Sequence, residues 1–181
     1  MALNYAMVLE RGVLLRVWNK NMSNILIRPL CNQDCRDVYD WRNDENTRKM
    51  SLNSDFIDYD HHKSWFSNML GSHNYVGIIG ETNSEKIGIV HFRENDEEAF
   101  VSINLNPNFR GRGLSSQFLA KSLDFYLTDR QNTTRFLAEI KCDNIKSERI
   151  FKNNNFAFFS NQDGVNKFRR VNFINKGGKN V

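Results

Sequence analysis

Apolar residues along this chain alternate in some stretches and recur every three or four positions in others, and the two rhythms take turns. "ILIRPL" (25–30) alternates and leads into "CNQD", a turn cluster with helix-capping side chains. "DCRDVYDWRND" (34–44) then reads as a short helix that turns Val38 and Trp41 inward and ends in a polar loop. In "DYDHHKSWFSNML" (58–70), His62, Trp65, Phe66, Met69 and Leu70 fall at helical spacing, with Asp58 or Asp60 placed to cap the start. "NYVGIIGE" and "KIGIVHFRE" flank the polar turn "TNSE" as a hairpin. "EEAFVSINLNP" sets Ala99, Val101, Ile103 and Leu105 on one face, and Pro107 ends it because proline has no N–H for a central ladder. Leu114, Phe118, Leu119, Leu123 and Tyr126 mark a helix; "RFLAEIKC" is a buried strand, "NIKSERIFKN" a helix and "NKFRRVNFI" a last strand.

The resulting order, β-α-α-β-β-β-α-β-α-β, predicts a mixed-sheet α/β domain with helices on its faces. We expect an N-terminal extension over 1–24, one domain over 25–175 and a flexible tail over 176–181. "GVLLRVWN" in the extension is expected to add a strand or to pair with a second subunit in a homodimer; a translation start near Ile25 is the other reading. A chain of 181 residues, 40% apolar and 25% charged, is long enough to bury a core and unlike a disordered composition. The net charge of +4 suits a small anionic ligand or an ordinary solvated surface and singles out no nucleic-acid face. No stretch is long and apolar enough to span a membrane, and Glu10 and Arg11 interrupt the apolar N-terminus, so a cytoplasmic protein is expected. Cys31, Cys35 and Cys142 have no second pair of thiolates or imidazoles at metal spacing, which predicts free thiols and no metal.

The stretch "NPNFRGRGLSSQFLAKSL" (106–123) carries the chemistry. Two glycines and two arginines stand where a strand gives way to a helix. N–H groups at a helix start lack carbonyl partners and carry the positive end of the helix dipole, so they suit a phosphate. Glycine allows close approach of the main chain, and Arg110 and Arg112 add forked donors. A tight turn with solvent-facing arginines is the alternative. The dinucleotide fingerprint lacks its third glycine here, and the P-loop lacks its lysine.

The turn resembles the acetyl-CoA signature of the GCN5-related N-acetyltransferases, [Q/R]-x-x-G-x-[G/A], met here by Arg110, Gly113 and Ser115. "LIRPL", "WRND", "H…WF", "SINLNP" and "AEIKCDNIKSERIFKNNNF" follow in family order over about residues 25–175. The resemblance implies a mixed sheet splayed between its fourth and fifth strands, with acetyl-CoA as acetyl donor and no metal. Arg110, Gly111, Arg112, Gly113, Leu114 and Ser115 would then surround the diphosphate. Main-chain groups of Ile103, Asn104 and Leu105 would hold the pantetheine, one N–H meeting the charge that gathers on the thioester oxygen as an amine attacks. Asn144, Ser147 and Phe151 match N-x-x-[A/S]-x-x-x-Y with the tyrosine hydroxyl missing. Thiolate protonation therefore falls to Ser147, to a water, or to no group, while Phe151 packs and, with Asn144, would border the coenzyme. Asn155 replaces a common glycine and still tolerates left-handed backbone.

For the acceptor, the combination of "WRND", His62 and Trp65-Phe66 is similar to amino-sugar N-acetyltransferases, including those of the pseudaminic acid pathway, and to ribosomal-protein N-terminal acetyltransferases. That resemblance implies a nucleotide-linked 4-amino-deoxysugar as a small-molecule partner, met by Trp41, Arg42, His62, Trp65 and His91, with His62 also a candidate base. Core packing is the competing use of Trp41, Trp65 and His62. A non-catalytic acyl-CoA-binding module is the alternative from another class.

Overall fold

In the computed structural model, which describes residues 24–172 and the backbone of two strands, β1 (Ala6–Glu10) and β2 (Val13–Val17), the alternating stretches build one seven-stranded sheet. Its strands are β3 (Leu26–Pro29), β4 (Tyr75–Thr82), β5 (Glu85–Asn95), β6 (Glu98–Leu105), β7 (Arg135–Lys141), β8 (Ala157–Gln162) and β9 (Val165–Val171), in the order β3-β4-β5-β6-β7-β9-β8. Every pairing is antiparallel except β6 with β7. Helices α1 (Cys35–Asn43), α2 (Glu45–Met50) and α3 (Tyr59–Gly71) follow β3, α4 (Ser115–Asp129) links β6 to β7, and α5 (Ile145–Lys152) follows β7.

Adjacent isoleucines show how the sheet serves two cores. Ile78 joins Val90, Phe92, Phe118, Leu119 and Leu123 under α4, while Ile79 joins Ile89, Val38, Trp41 and Phe66 under α1 and α3. Period-two alternation on a sheet covered on both faces dictates this split. The α4 core centres on an aromatic stack, Phe92 on Tyr126 at 4.2 Å between ring centres, with Phe136 edge-on to Tyr126. Gly80 makes room for it, since a Cβ there would lie 2.6 Å from the Phe118 ring.

Several expectations need correction. Residues 45–50, read as polar loop, form α2; none of its side chains is buried, so it leaves no apolar stripe to read. β8 was not foreseen because it is an edge strand with Phe158 and Phe159 exposed rather than inward. Val13–Val17, within "GVLLRVWN", pairs with Ala6–Glu10 as a separate two-stranded ribbon and adds nothing to the main sheet. The tail 176–181 and the last residues of "NKFRRVNFI" lie outside the described residues.

A buried carboxylate fixes α1 to the sheet. Asp34, fully buried, accepts a two-pronged ion pair from Arg28 of β3 at 2.7 and 2.8 Å, Lys86 of β5 at 2.8 Å and the Cys31 N–H at 3.0 Å. Burial pushes this carboxyl up, but Arg28, Lys86 and Cys31 outweigh it and hold it well below the usual carboxylate range. Asp34→Asn is therefore expected to cost about 2–4 kcal/mol at pH 7 in urea unfolding. The gap from wild type should narrow as pH falls below about 4, where the unfolded carboxyl takes up its proton and the ion pair's contribution fades. An equal gap at pH 7 and pH 3 would contradict this account.

Candidate active site

The parallel pairing of β6 with β7 lasts three residues, Glu98 with Arg135, Ala99 with Phe136 and Phe100 with Leu137, and then stops. Beyond Phe100 the strands diverge, which leaves the β7-facing main chain of Val101–Leu105 without a strand partner. A cavity of about 490 Å³ occupies this wedge. Phe100 and Asn104 line one lip, Leu137 and Glu139 the other, and Asn144, Ser147 and Phe151 of α5 close its end. The cavity continues past Thr47 and Met50 of α2 to Arg42, Trp65 and His91.

Next to the wedge, the glycine turn is held at both ends and free between them. Phe109 and Leu114 are buried in the α4 core, while Gly111, Arg112 and Gly113 are exposed. Both glycines have φ of +75°, and a Cβ on either would meet nothing within 4 Å. The residue before α4, Leu114, supplies no capping side chain, and no acid stands in the first turn. Asn154 fastens this helix start to α5 by donating to the Ser116 carbonyl at 3.2 Å. An open N-terminus flanked by Arg112, whose guanidinium rests 4.5 Å over the Phe109 ring, fits the diphosphate of coenzyme A.

Of the residues expected at the site, the cavity brings together Arg42, His62, Trp65, His91, Ile103, Asn104, Asn144, Ser147 and Phe151. Trp41 is a correction: it is buried in the core with Val38, Phe66 and Ile79, because its helical position points it at the sheet. Leu105 packs against the α4 core and lies outside the cavity lining. Arg110 also departs from expectation. Its Nη2 is spent on Asp44 at 2.7 Å and on the Thr47 hydroxyl at 2.6 Å, both at the start of α2. The Asn144 amide is engaged at both ends, accepting from the Ser147 N–H at 3.1 Å and donating to the Met50 carbonyl at 3.2 Å. Among the described residues the Ser147 hydroxyl has no hydrogen-bond partner, which leaves it available on the cavity wall.

The histidines differ. His62 is packed among Tyr39, Trp65 and Phe66, and its Nε2 lies 3.1 Å from the Cys35 carbonyl, so that nitrogen carries the proton and donates. Burial pushes its pKa down, and the ring braces Trp65. His91 stands across the ladder from Ser102, edge-on to Trp65. Its Nδ1 is shut off from solvent without a partner among the described residues, and burial, helped by Arg93, pushes its pKa down to about 4. Arg42 presents the other orphan: Nη2 donates to the Asn53 carbonyl at 2.9 Å, while Nη1 is buried and has no partner among the described residues. Sequence reading missed Thr47, Arg93 and Glu139 on this wall; alternation along "HFRE" places Arg93 on the face of His91, while nothing local marks the other two.

Residues 24–157 match the family model for an acetyltransferase (GNAT) domain. No curated protein matches the sequence. The fold is similar to spermidine N-acetyltransferase from Vibrio cholerae, solved with CoA and spermine (TM-score 0.72, 18% identity, 82% of this chain and 96% of that one). It is also similar to a domain from Methanocaldococcus jannaschii (TM-score 0.71, 19% identity, 83% and 99%). A third likeness is to Campylobacter jejuni N-acetyltransferase PseH with acetyl coenzyme A (TM-score 0.65, 12% identity, 82% and 99%).

Two outcomes follow from this geometry. Gly113→Val has room for its side chain but forces a β-branched residue into left-handed backbone, so the turn must rearrange. Calorimetry is expected to show at least a tenfold loss of acetyl-CoA affinity with the fold retained. Between pH 6.5 and 4 the unfolded chain binds a proton that folded His91 refuses, so stability falls as pH drops through that window. His91→Gln should flatten the fall by roughly 1–3 kcal/mol in urea titrations.

Proposed function

The chain belongs to the GNAT family of acetyl-CoA-dependent N-acetyltransferases, and on that premise we propose that its acceptor is a nucleotide-linked 4-amino-deoxysugar, acetylated on its free amine during glycan assembly. The observation that carries this reading is the sign of the cavity wall. Arg42 and Arg93 line it against one carboxylate, Glu139, which itself lies 3.6 Å from Lys167. Among the described residues Arg42 Nη1 and His91 Nδ1 have no hydrogen-bond partners, and both side chains line the cavity, which favours a ligand rich in acceptors and donors at this wall. Phosphates and sugar hydroxyls are suited to that, and half-exposed Trp65 offers a face to a ring. A polyamine of the kind bound by the Vibrio cholerae enzyme brings only positive charge to this wall and meets like charge.

Acetyl-CoA, when bound, supplies the acetyl group as a thioester. The chain's own groups do the rest. Unpaired main-chain N–H groups of the diverging stretch of β6 are aimed at the wedge, where they stabilise charge on the carbonyl oxygen without reorganising. Ser147 is the hydroxyl available to the departing thiolate. With its pKa near 4, His91 is neutral and too weak a base to hold an ammonium proton at pH 7, so it orients the amine by hydrogen bonding. A cytoplasmic setting belongs to this reading; among the described residues no helix is long and apolar enough to cross a membrane.

The test is thiol release from acetyl-CoA with a UDP-linked 4-amino-4,6-dideoxysugar, with spermidine, and with N-terminal peptides. We expect kcat/KM for the sugar to exceed that for spermidine by at least about 100-fold, the scale set by a mismatched buried charge. Turnover with spermidine or peptide alone would overturn the assignment.

A further inference from the structure

Arg110 opens the coenzyme turn, yet its guanidinium faces the acceptor side. It bonds Asp44 at 2.7 Å and the Thr47 hydroxyl at 2.6 Å, and Thr47 passes the link on to Asn104 of β6 at 3.3 Å. Asp44 in turn accepts from the Thr47 N–H at 2.9 Å, capping α2. Burial pushes the Asp44 carboxyl up, but Arg110 and the Thr47 N–H outweigh it and hold it below its ordinary value. On the opposite lip of the wedge, Lys141 of β7 donates to the Lys49 carbonyl at 3.0 Å and Asn144 to the Met50 carbonyl at 3.2 Å. α2 therefore crosses the opening between β6 and β7 and is tied to both sides.

No side chain of α2 is buried, and a six-residue helix is unstable on its own, so these polar ties decide where it sits. Its Thr47 and Met50, with Ser51 just beyond it, form the cavity wall opposite α5. An arginine withdrawn from this network releases the wall, whereas the diphosphate keeps the helix N-terminus of α4 and Arg112.

We propose that Arg110 is a positioning residue for the amine acceptor: through Asp44 and Thr47 it holds α2 across the wedge, so that the coenzyme turn sets the shape of the acceptor wall. The inference rests on the reading above only in taking this cavity as the place where the amine binds. It assigns Arg110 to acceptor affinity in place of phosphate affinity.

The test compares full-length wild type with Arg110→Ala, Arg110→Lys, Asp44→Asn and the double variant Arg110→Ala/Asp44→Asn. Asparagine keeps the helix cap while removing the charge that Arg110 meets. Hydrogen exchange over residues 45–53 should quicken about tenfold in Arg110→Ala and in Asp44→Asn, the scale of one charge-assisted link. The double variant should be no faster than Arg110→Ala alone, because removing the arginine already cuts its tie to Asp44. Arg110→Lys should recover part of the protection. Calorimetry with acetyl-CoA should give dissociation constants within threefold throughout. With the UDP-linked aminosugar, KM should rise about tenfold while kcat changes less than threefold. Unchanged exchange in Arg110→Ala overturns the proposal. So does a tenfold loss of acetyl-CoA affinity in Arg110→Ala without one in Asp44→Asn, which would return the arginine to the phosphate. If the sugar is not acetylated at all, the acceptor reading fails alone, and exchange with calorimetry still decides the role of Arg110.

Discussion

Everything at this site depends on two strands parting. Three residue pairs of parallel ladder bring β6 and β7 together, and their divergence after Phe100 leaves main-chain groups without strand partners inside a protein. Unpaired backbone polar groups are tolerated only where water or a ligand meets them, so such a gap is costly in a fold that has no use for it. Here the gap is framed by α5 at its end and α2 across it, and the glycine turn lies beside it. One irregularity in the sheet thus supplies the cavity and the unpaired main-chain groups that face it.

Around that gap the two sides of the sheet are held by different mixtures of contacts. Beneath α4 the sheet is clamped by aromatic and aliphatic packing, with Phe92, Tyr126 and Phe136 at its centre. On the acceptor side, α1 and α3 share a second apolar core through Val38, Trp41 and Phe66, to which the ionic cluster around Asp34 adds, whereas α2 is held by the Arg110–Asp44 pair and hydrogen bonds. Most of the site is consequently set by the same contacts that fold the protein, and the α2 wall by contacts that add nothing to either core.

That division also decides what the sequence discloses. Strands and helices with apolar periodicity were legible, as were the turn "RGRGLS" and the face shared by Asn144, Ser147 and Phe151. Asn155, at φ of +64°, holds the left-handed geometry expected of a residue standing in for glycine. Trp41 misled, because an aromatic on a helix reads alike whether it meets a core or a ligand. α2 left no apolar signal, although Asp44 and Glu45 at its start and Arg48 and Lys49 at its end are the charges a short helix needs. The direction of the Arg110 side chain was not legible at all, since its partners are more than sixty residues away in the chain.

A wall segment that adds nothing to the core can change freely. Apart from Thr47, whose hydroxyl joins Arg110 to Asn104, substitutions in 45–53 escape the penalty that purges altered core residues and leave the β6 edge and the glycine turn as they are. On the acceptor reading proposed above, descendants of this scaffold exchange one amine for another by rewriting a few exposed positions, while their donor chemistry is inherited intact.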